Sequence, residues 1–72
     1  MFIGIDLHKQ AAQVAVRNDD GEVIEPTRVQ NENLIAIAER YARGEALLEA
    51  TRIYFYIYDM LSEYLDVKVG HP

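Results

Sequence analysis

Two acidic residues stand where a polypeptide rarely puts them without reason. Asp6 closes the apolar run Phe2-Ile3-Gly4-Ile5-Asp6-Leu7, and Glu49 closes Ala46-Leu47-Leu48-Glu49-Ala50. A carboxylate at the tip of an otherwise apolar strand is unfavourable unless something cationic meets it. Two such tips point to a shared divalent metal and to chemistry on phosphoryl groups. In that chemistry paired carboxylates hold metal ions that activate a nucleophile and stabilise a leaving oxygen. Magnesium fits such a pair because it takes oxygen ligands and retains several waters. The plain alternatives are a turn cap for Asp6 and simple surface exposure for Glu49.

The strands that carry these acids can be read from hydrophobic period. Phe2 to Leu7 alternates, with Ile3, Ile5 and Leu7 on one face and Phe2, Gly4 and Asp6 on the other. Ala11 to Arg17 alternates again, with Val14 and Val16 together. Asn18-Asp19-Asp20-Gly21 is a hairpin turn, since Asn, Asp and Gly accept the positive φ such turns require. Glu22 to Val29 makes a third strand. Pro26 inside it has no N–H for a ladder, so this strand must be an edge or carry a bulge.

The period then changes. Leu34, Ile37, Ala38 and Tyr41 form one helical stripe, with Asn31 as its expected N-cap and Gly44 as its expected stop. Glu45 to Ala50 returns to strand. Arg52 to Tyr64 is a second helix with Tyr54, Ile57, Tyr58, Leu61 and Leu65 as its stripe, and Val67 to Val69 a last strand. Thr51 could cap this helix or meet substrate. The order is β-β-β-α-β-α-β, an α/β fold with a mixed sheet. Strand–helix–strand units place strands in parallel, and sites in such sheets form beyond the carboxyl ends of the parallel strands. If the first and fourth strands are neighbours, Asp6 and Glu49 converge.

Size and charge set bounds. Seventy-two residues, half of them hydrophobic, make one small domain. Such a chain buries only about 60% of its unfolded surface. No leader and no membrane-length apolar run is present in the sequence, so a soluble, cytoplasmic protein is expected. There is no cysteine, which excludes thiolate zinc sites and disulfides. His8 and His71 are too few and too far apart for a histidine metal site. A net charge of −5 repels a phosphate backbone, so metal ions or other segments must supply positive field if nucleic acid is bound.

Gly4-Ile5-Asp6-Leu7-His8-Lys9, Gln13-Val14-Ala15-Val16 and Leu48-Glu49-Ala50-Thr51 together resemble the amino-terminal segment of the DEDD transposases of the insertion sequence 110 family. Ile57-Tyr58-Asp59 and Val67-Lys68-Val69-Gly70-His71-Pro72 extend the resemblance to essentially the whole chain. It implies a RuvC-like, RNase H-like catalytic domain, of which residues 1–72 would be the amino-terminal part, truncated after the fifth strand. The activity implied is metal-dependent DNA cleavage and strand transfer, with DNA and a guide RNA as partners of the full-length protein. Asp6 matches the first of the family's four acids and Glu49 the second. In the family's manner Asp6 would bridge two Mg²⁺ (or Mn²⁺) ions and Glu49 would bind one.

The family's Asp-x-x-Asp pair lies beyond the segment resembled, and Asp59 and Asp66 do not match it. A carboxyl-terminal domain with a serine implicated in strand exchange is likewise outside it. Arg52 stands where family members often have Gly. Two carboxylates alone would hold Mg²⁺ weakly, and the fragment alone is expected to be inactive. The alternative function is a non-catalytic small α/β module for oligomerisation or partner binding. A resolvase or a nucleotide-binding kinase-like half-domain also shares Gly4-x-Asp6, although His8-Lys9-Gln10 is not the Gly-rich loop the latter needs.

Three surface features complete the reading. His8 and Lys9 could meet a phosphate or simply form a solvated turn. Phe55 and Tyr56 fall on the outward side of the second helix with Arg52, Asp59, Ser62 and Glu63, and an exposed aromatic pair suggests a partner surface. The Val-rich last strand is an open edge, which invites self-association.

Overall fold

In a computed structural model of the chain, residues 1–50 and 55–70 are described, Glu25 by its backbone only. Five strands are present: β1 (Phe2–Leu7), β2 (Ala11–Arg17), β3 (Val23–Gln30), β4 (Glu45–Ala50) and β5 (Asp66–Gly70). A 3-10 turn (Asn31–Asn33) leads into helix α1 (Leu34–Arg40), and α2 (Phe55–Ser62) joins β4 to β5. The strands form one mixed sheet in the order β3-β2-β1-β4-β5. β1 is antiparallel to β2 and parallel to β4, β2 is antiparallel to β3, and β4 is parallel to β5.

Burial follows the alternation. Ile3, Ile5 and Leu7 of β1, Val14 and Val16 of β2, and Ala46, Leu48 and Ala50 of β4 are all buried on one face. Leu34 and Ala38 of α1 and Ile57 and Leu61 of α2 pack onto that face, and Leu65 closes the cluster. Both helices therefore cover the same side. The other face carries Phe2, Gly4 and Asp6, then Gln13, Ala15 and Arg17, then Glu45, Leu47 and Glu49. All of these are exposed or half-buried, and no helix of the described residues packs there. Leu34, Ile37 and Ala38 of α1 and Ile57, Tyr58 and Leu61 of α2 face the core as the 3.6 period requires, whereas α1 ends at Arg40 and α2 at Ser62, so Tyr41 and Leu65 reach the core from the segments that follow the helices. Tyr54 lies outside the described residues, as do Thr51, Arg52, His71 and Pro72.

The turns show where local chemistry acts. In Asn18–Gly21 the Asn18 Oδ1 accepts from the N–H groups of Asp20 and Glu22, both at 3.0 Å. Gly21 takes φ of +84°, a value a side chain disfavours. Pro26 meets both conditions set for it: β3 is an edge, and the register of β2 with β3 slips between Val14 and Val16.

Two capping expectations are corrected. Asn31 does not cap α1; its Nδ2 donates to the carbonyls of His8 (2.9 Å) and Lys9 (3.1 Å). The chain enters α1 through the 3-10 turn instead, so Asn31 is free to brace the β1–β2 connection. Gly44 is not the left-handed residue after α1 either; Arg43 is, with φ of 72°. Gly44 answers to space, because a Cβ there would stand 3.0 Å from the carbonyl oxygen of Tyr41.

Candidate metal and phosphate site

Asp6 and Glu49 are directly paired residues of the parallel strands β1 and β4. Each is the penultimate residue of its strand, so both stand at the same rim, and both point from the uncovered face. Paired positions on adjacent strands lie about 4.8 Å apart. Carboxylates reaching the same way from that spacing can take one Mg²⁺ between them, whose ligand distances are about 2.1 Å. The sheet brings together the two residues the sequence singled out.

The pair belongs to a polar row that crosses the whole sheet. Arg28 of β3 pairs with Gln13 of β2, Gln13 with Asp6, Asp6 with Glu49, and Glu49 with Gly70 of β5. Gly70 keeps this end open: a Cβ there would come within 3.5 Å of Glu49 Cγ and 3.3 Å of a Leu47 methyl. Beneath the row, Gly4, Ala15 and Leu47 floor a shallow hollow of about 220 Å³ with Asp6 and Glu49 on its margin. Small residues at Gly4 and Ala15 leave room above the strands.

An imidazole and two cationic side chains stand on the β2 side of the acids. His8 Nε2 lies 3.4 Å from Asp6 Oδ2, with the two side chains 66% and 59% exposed. His8, Lys9 and Arg28 line a second hollow, of about 510 Å³, together with Gln13. The loop that presents His8 and Lys9 is held tightly. His8 N–H donates to Ala11 O at 3.0 Å, Asn31 N–H donates to Gln10 O at 3.0 Å, and the Asn31 amide adds its two bonds. An anion placed over Gln13 would face carboxylates on one side and cations on the other.

Sequence reasoning left His8 and Lys9 outside the core of the site, marked Gln13 only as part of the resemblance and gave it no role, and did not mark Arg28. The parity rule would have found His8, which lies two residues beyond Asp6. Arg28 depends on the β2–β3 register after the slip, which no local pattern encodes. Asp59 and Asp66 stay apart from the pair. Asp59 is exposed on α2, in the layer behind the sheet, and Asp66 pairs with Glu45 at the opposite rim. Among the described residues no group of three or more His, Cys, Asp or Glu side chains could hold a metal ion. No helix of the described residues is long and apolar enough to cross a membrane. Compared with known protein families, with curated proteins and with solved structures, the chain finds no match.

Proposed function

We propose that Asp6 and Glu49 hold a divalent metal ion, Mg²⁺ or Mn²⁺, beside a nucleic-acid phosphate, as the first two acids of an RNase H-like catalytic unit of the DEDD transposase kind. The observation that carries this reading is the in-register pairing of the two acids at one rim of an uncovered sheet face. The strand order, three antiparallel strands followed by two parallel ones, supports the RNase H-like reading. The donor set fits the ion, being hard oxygen on a face where waters complete the shell. A bound ion there supplies Lewis-acid polarisation of a phosphoryl oxygen and a more acidic coordinated water.

The protein's own residues do the rest. Asp6 and Glu49 fix the ion at the rim, and Lys9 and Arg28 supply the positive charge that the acidic chain otherwise lacks for a phosphate. Gln13, between them, has both a donor and an acceptor for a phosphate oxygen or a coordinated water. Two carboxylates alone hold the ion weakly, since water fills its remaining positions, and cleavage by the complete centre requires the further acid pair that the resemblance implies.

The test is a Mg²⁺ and Mn²⁺ titration followed by NMR. Shifts and Mn²⁺ broadening centred on Asp6, Glu49 and Gln13, abolished in Glu49→Gln, support the reading. No response at tens of millimolar Mg²⁺ refutes it and favours a non-catalytic binding module. That second reading has its own observation in Phe55 and Tyr56, adjacent aromatics 76% and 69% exposed on α2.

A further inference from the structure

The two edges of the sheet are not alike. β3 is protected by Pro26 and by its register slip, features that discourage a further strand. β5 has neither, and among the described residues nothing pairs with its outer side. Its inner side is fixed by register: Asp66 pairs with Glu45, and Asp66 N–H donates to Gly44 O at 2.9 Å. In a strand the N–H and C=O of one residue point the same way and those of the next point opposite. Asp66, Lys68 and Gly70 therefore turn their backbone polar groups toward β4, and Val67 and Val69 turn theirs outward.

We propose that β5 pairs antiparallel with β5 of a second copy of this chain, about a two-fold axis at Val67, to make one continuous ten-stranded sheet. Backbone parity admits only registers in which an outward residue meets an outward residue. With Val67 opposite Val67 of the second copy, their N–H and C=O groups bond reciprocally. Asp66 then faces Lys68 of the other copy at a non-hydrogen-bonded position, where Cα atoms are about 4.5 Å apart and side chains are closest. The symmetry makes that ion pair twice.

The neighbouring admissible registers fail on charge. One step in either direction sets Lys68 against Lys68 or Asp66 against Asp66, and a parallel pairing of the same two edges would turn one copy over and leave the outward residues of the two strands opposite each other, out of step for a parallel ladder. Of the antiparallel registers that pair Val67, only this one sets opposite charges against each other. Lys68 of the second copy also arrives beside Asp66 and Glu45, two exposed carboxylates paired across β4 and β5. On the helix side of the sheet the pairing covers Val69, which is 41% exposed. Both copies' helices fall on the same side of the joined sheet, and the Asp6–Glu49 rows remain open on the other.

Sedimentation equilibrium of the 72-residue chain tests this from about 10 μM to about 1 mM, the span in which so small an interface associates. The expected result is a concentration-dependent dimer. Lys68→Asp, which turns both attractive pairs into repulsive ones, weakens it by about tenfold or more. Asp66→Lys combined with Lys68→Asp restores it, since the swapped strand is again self-complementary. In a mixture of labelled and unlabelled chain, an inter-copy NOE joins Asp66 Hα to Lys68 Hα. A monomer at the highest concentration overturns the proposal, as does a dimer that ignores Lys68→Asp or that the double exchange fails to recover. Circular dichroism of each variant separates lost pairing from lost fold.

Discussion

Glu49→Gln should make the protein more stable without metal and less stable with it. In the absence of an ion, the sheet holds two like charges on directly paired residues, an arrangement that opposes folding. With the charges about 5 Å apart in water, Coulomb repulsion is about 0.8 kcal/mol, reduced to about 0.4 kcal/mol by physiological salt. For a domain of this size 1 kcal/mol moves Tm by about 4–8 °C, so the variant should melt about 2–6 °C higher in EDTA. Ten millimolar Mg²⁺ acting on a site of about 1 mM affinity adds about 1.4 kcal/mol to the wild type, or about 6–11 °C, and much less to the variant. The two melting curves must therefore exchange order between EDTA and Mg²⁺. Glu49 is the better position to neutralise, because Asp6 also faces His8 at 3.4 Å and its removal changes two interactions at once. Differential scanning calorimetry reads both conditions on the same preparations. A variant less stable than wild type in EDTA, or an equal Mg²⁺ shift in both proteins, would refute the argument that the acids are paired for a cation.

Other perturbations reach the scaffold beneath the site. Asn31→Ala removes both bonds from its amide to the His8 and Lys9 carbonyls and should cost about 1–2 kcal/mol in urea unfolding. Amide exchange should quicken first in the His8–Ala11 turn, and unchanged protection there would show the brace to be idle. Leu48→Ala empties a fully buried position between the sheet and both helices. Its expected cost of about 2–5 kcal/mol is a large fraction of what a 72-residue domain possesses, so loss of cooperative melting is the outcome to look for. The Met1 amine donates a hydrogen bond to the Asp19 carboxyl and attracts its negative charge, holding that carboxyl below its ordinary range. The sign follows: this contribution is complete above the ordinary carboxylate range and disappears as pH falls through the lowered native value. Asp19→Asn should flatten that acid limb, checked by thermal melts between about pH 2 and about pH 6.

Much of the fold was legible because small alternating strands state their faces openly. Ile3, Ile5 and Leu7, then Ala46, Leu48 and Ala50, alternate with residues that are exposed or half-buried, and burial follows that pattern residue by residue. Leu34, Ile37, Ala38 and Tyr41 marked a helical stripe for the same reason. The ends of the helix were less legible. Asn at the foot of a helix is usually its cap, but Asn31 had a competing use: two carbonyls of a turn more than twenty residues earlier were within reach. A distant partner outweighed the local preference. Arg43 likewise takes the left-handed conformation beside a glycine, while its N–H donates to Tyr64 O at 2.6 Å. That contact fixes the connection from the far side of the second helix.

The site divides along the same line. Which face Asp6 occupies is a local property, set by alternation within β1, and so is the face of Glu49 within β4. That the two share a level is not local: shifting β4 by one residue along β1 would turn Glu49 into the helix layer. Burial of Ala46, Leu48 and Ala50 excludes that shift, because it would bury Glu45, Leu47 and Glu49 in their place and leave two charges without partners. The hydrophobic face thus enforces parity, and the parallel register with Phe2 opposite Glu45 then sets the level. Arg28 escapes the rule because the slip beside Pro26 reverses the alternation within β3, so the faces of Val23 and Ile24 do not foretell that of Arg28. The acids are placed by the core, whereas the cation opposite them is placed by an irregularity, so removing the irregularity should move Arg28 and leave the carboxylate pair where it is.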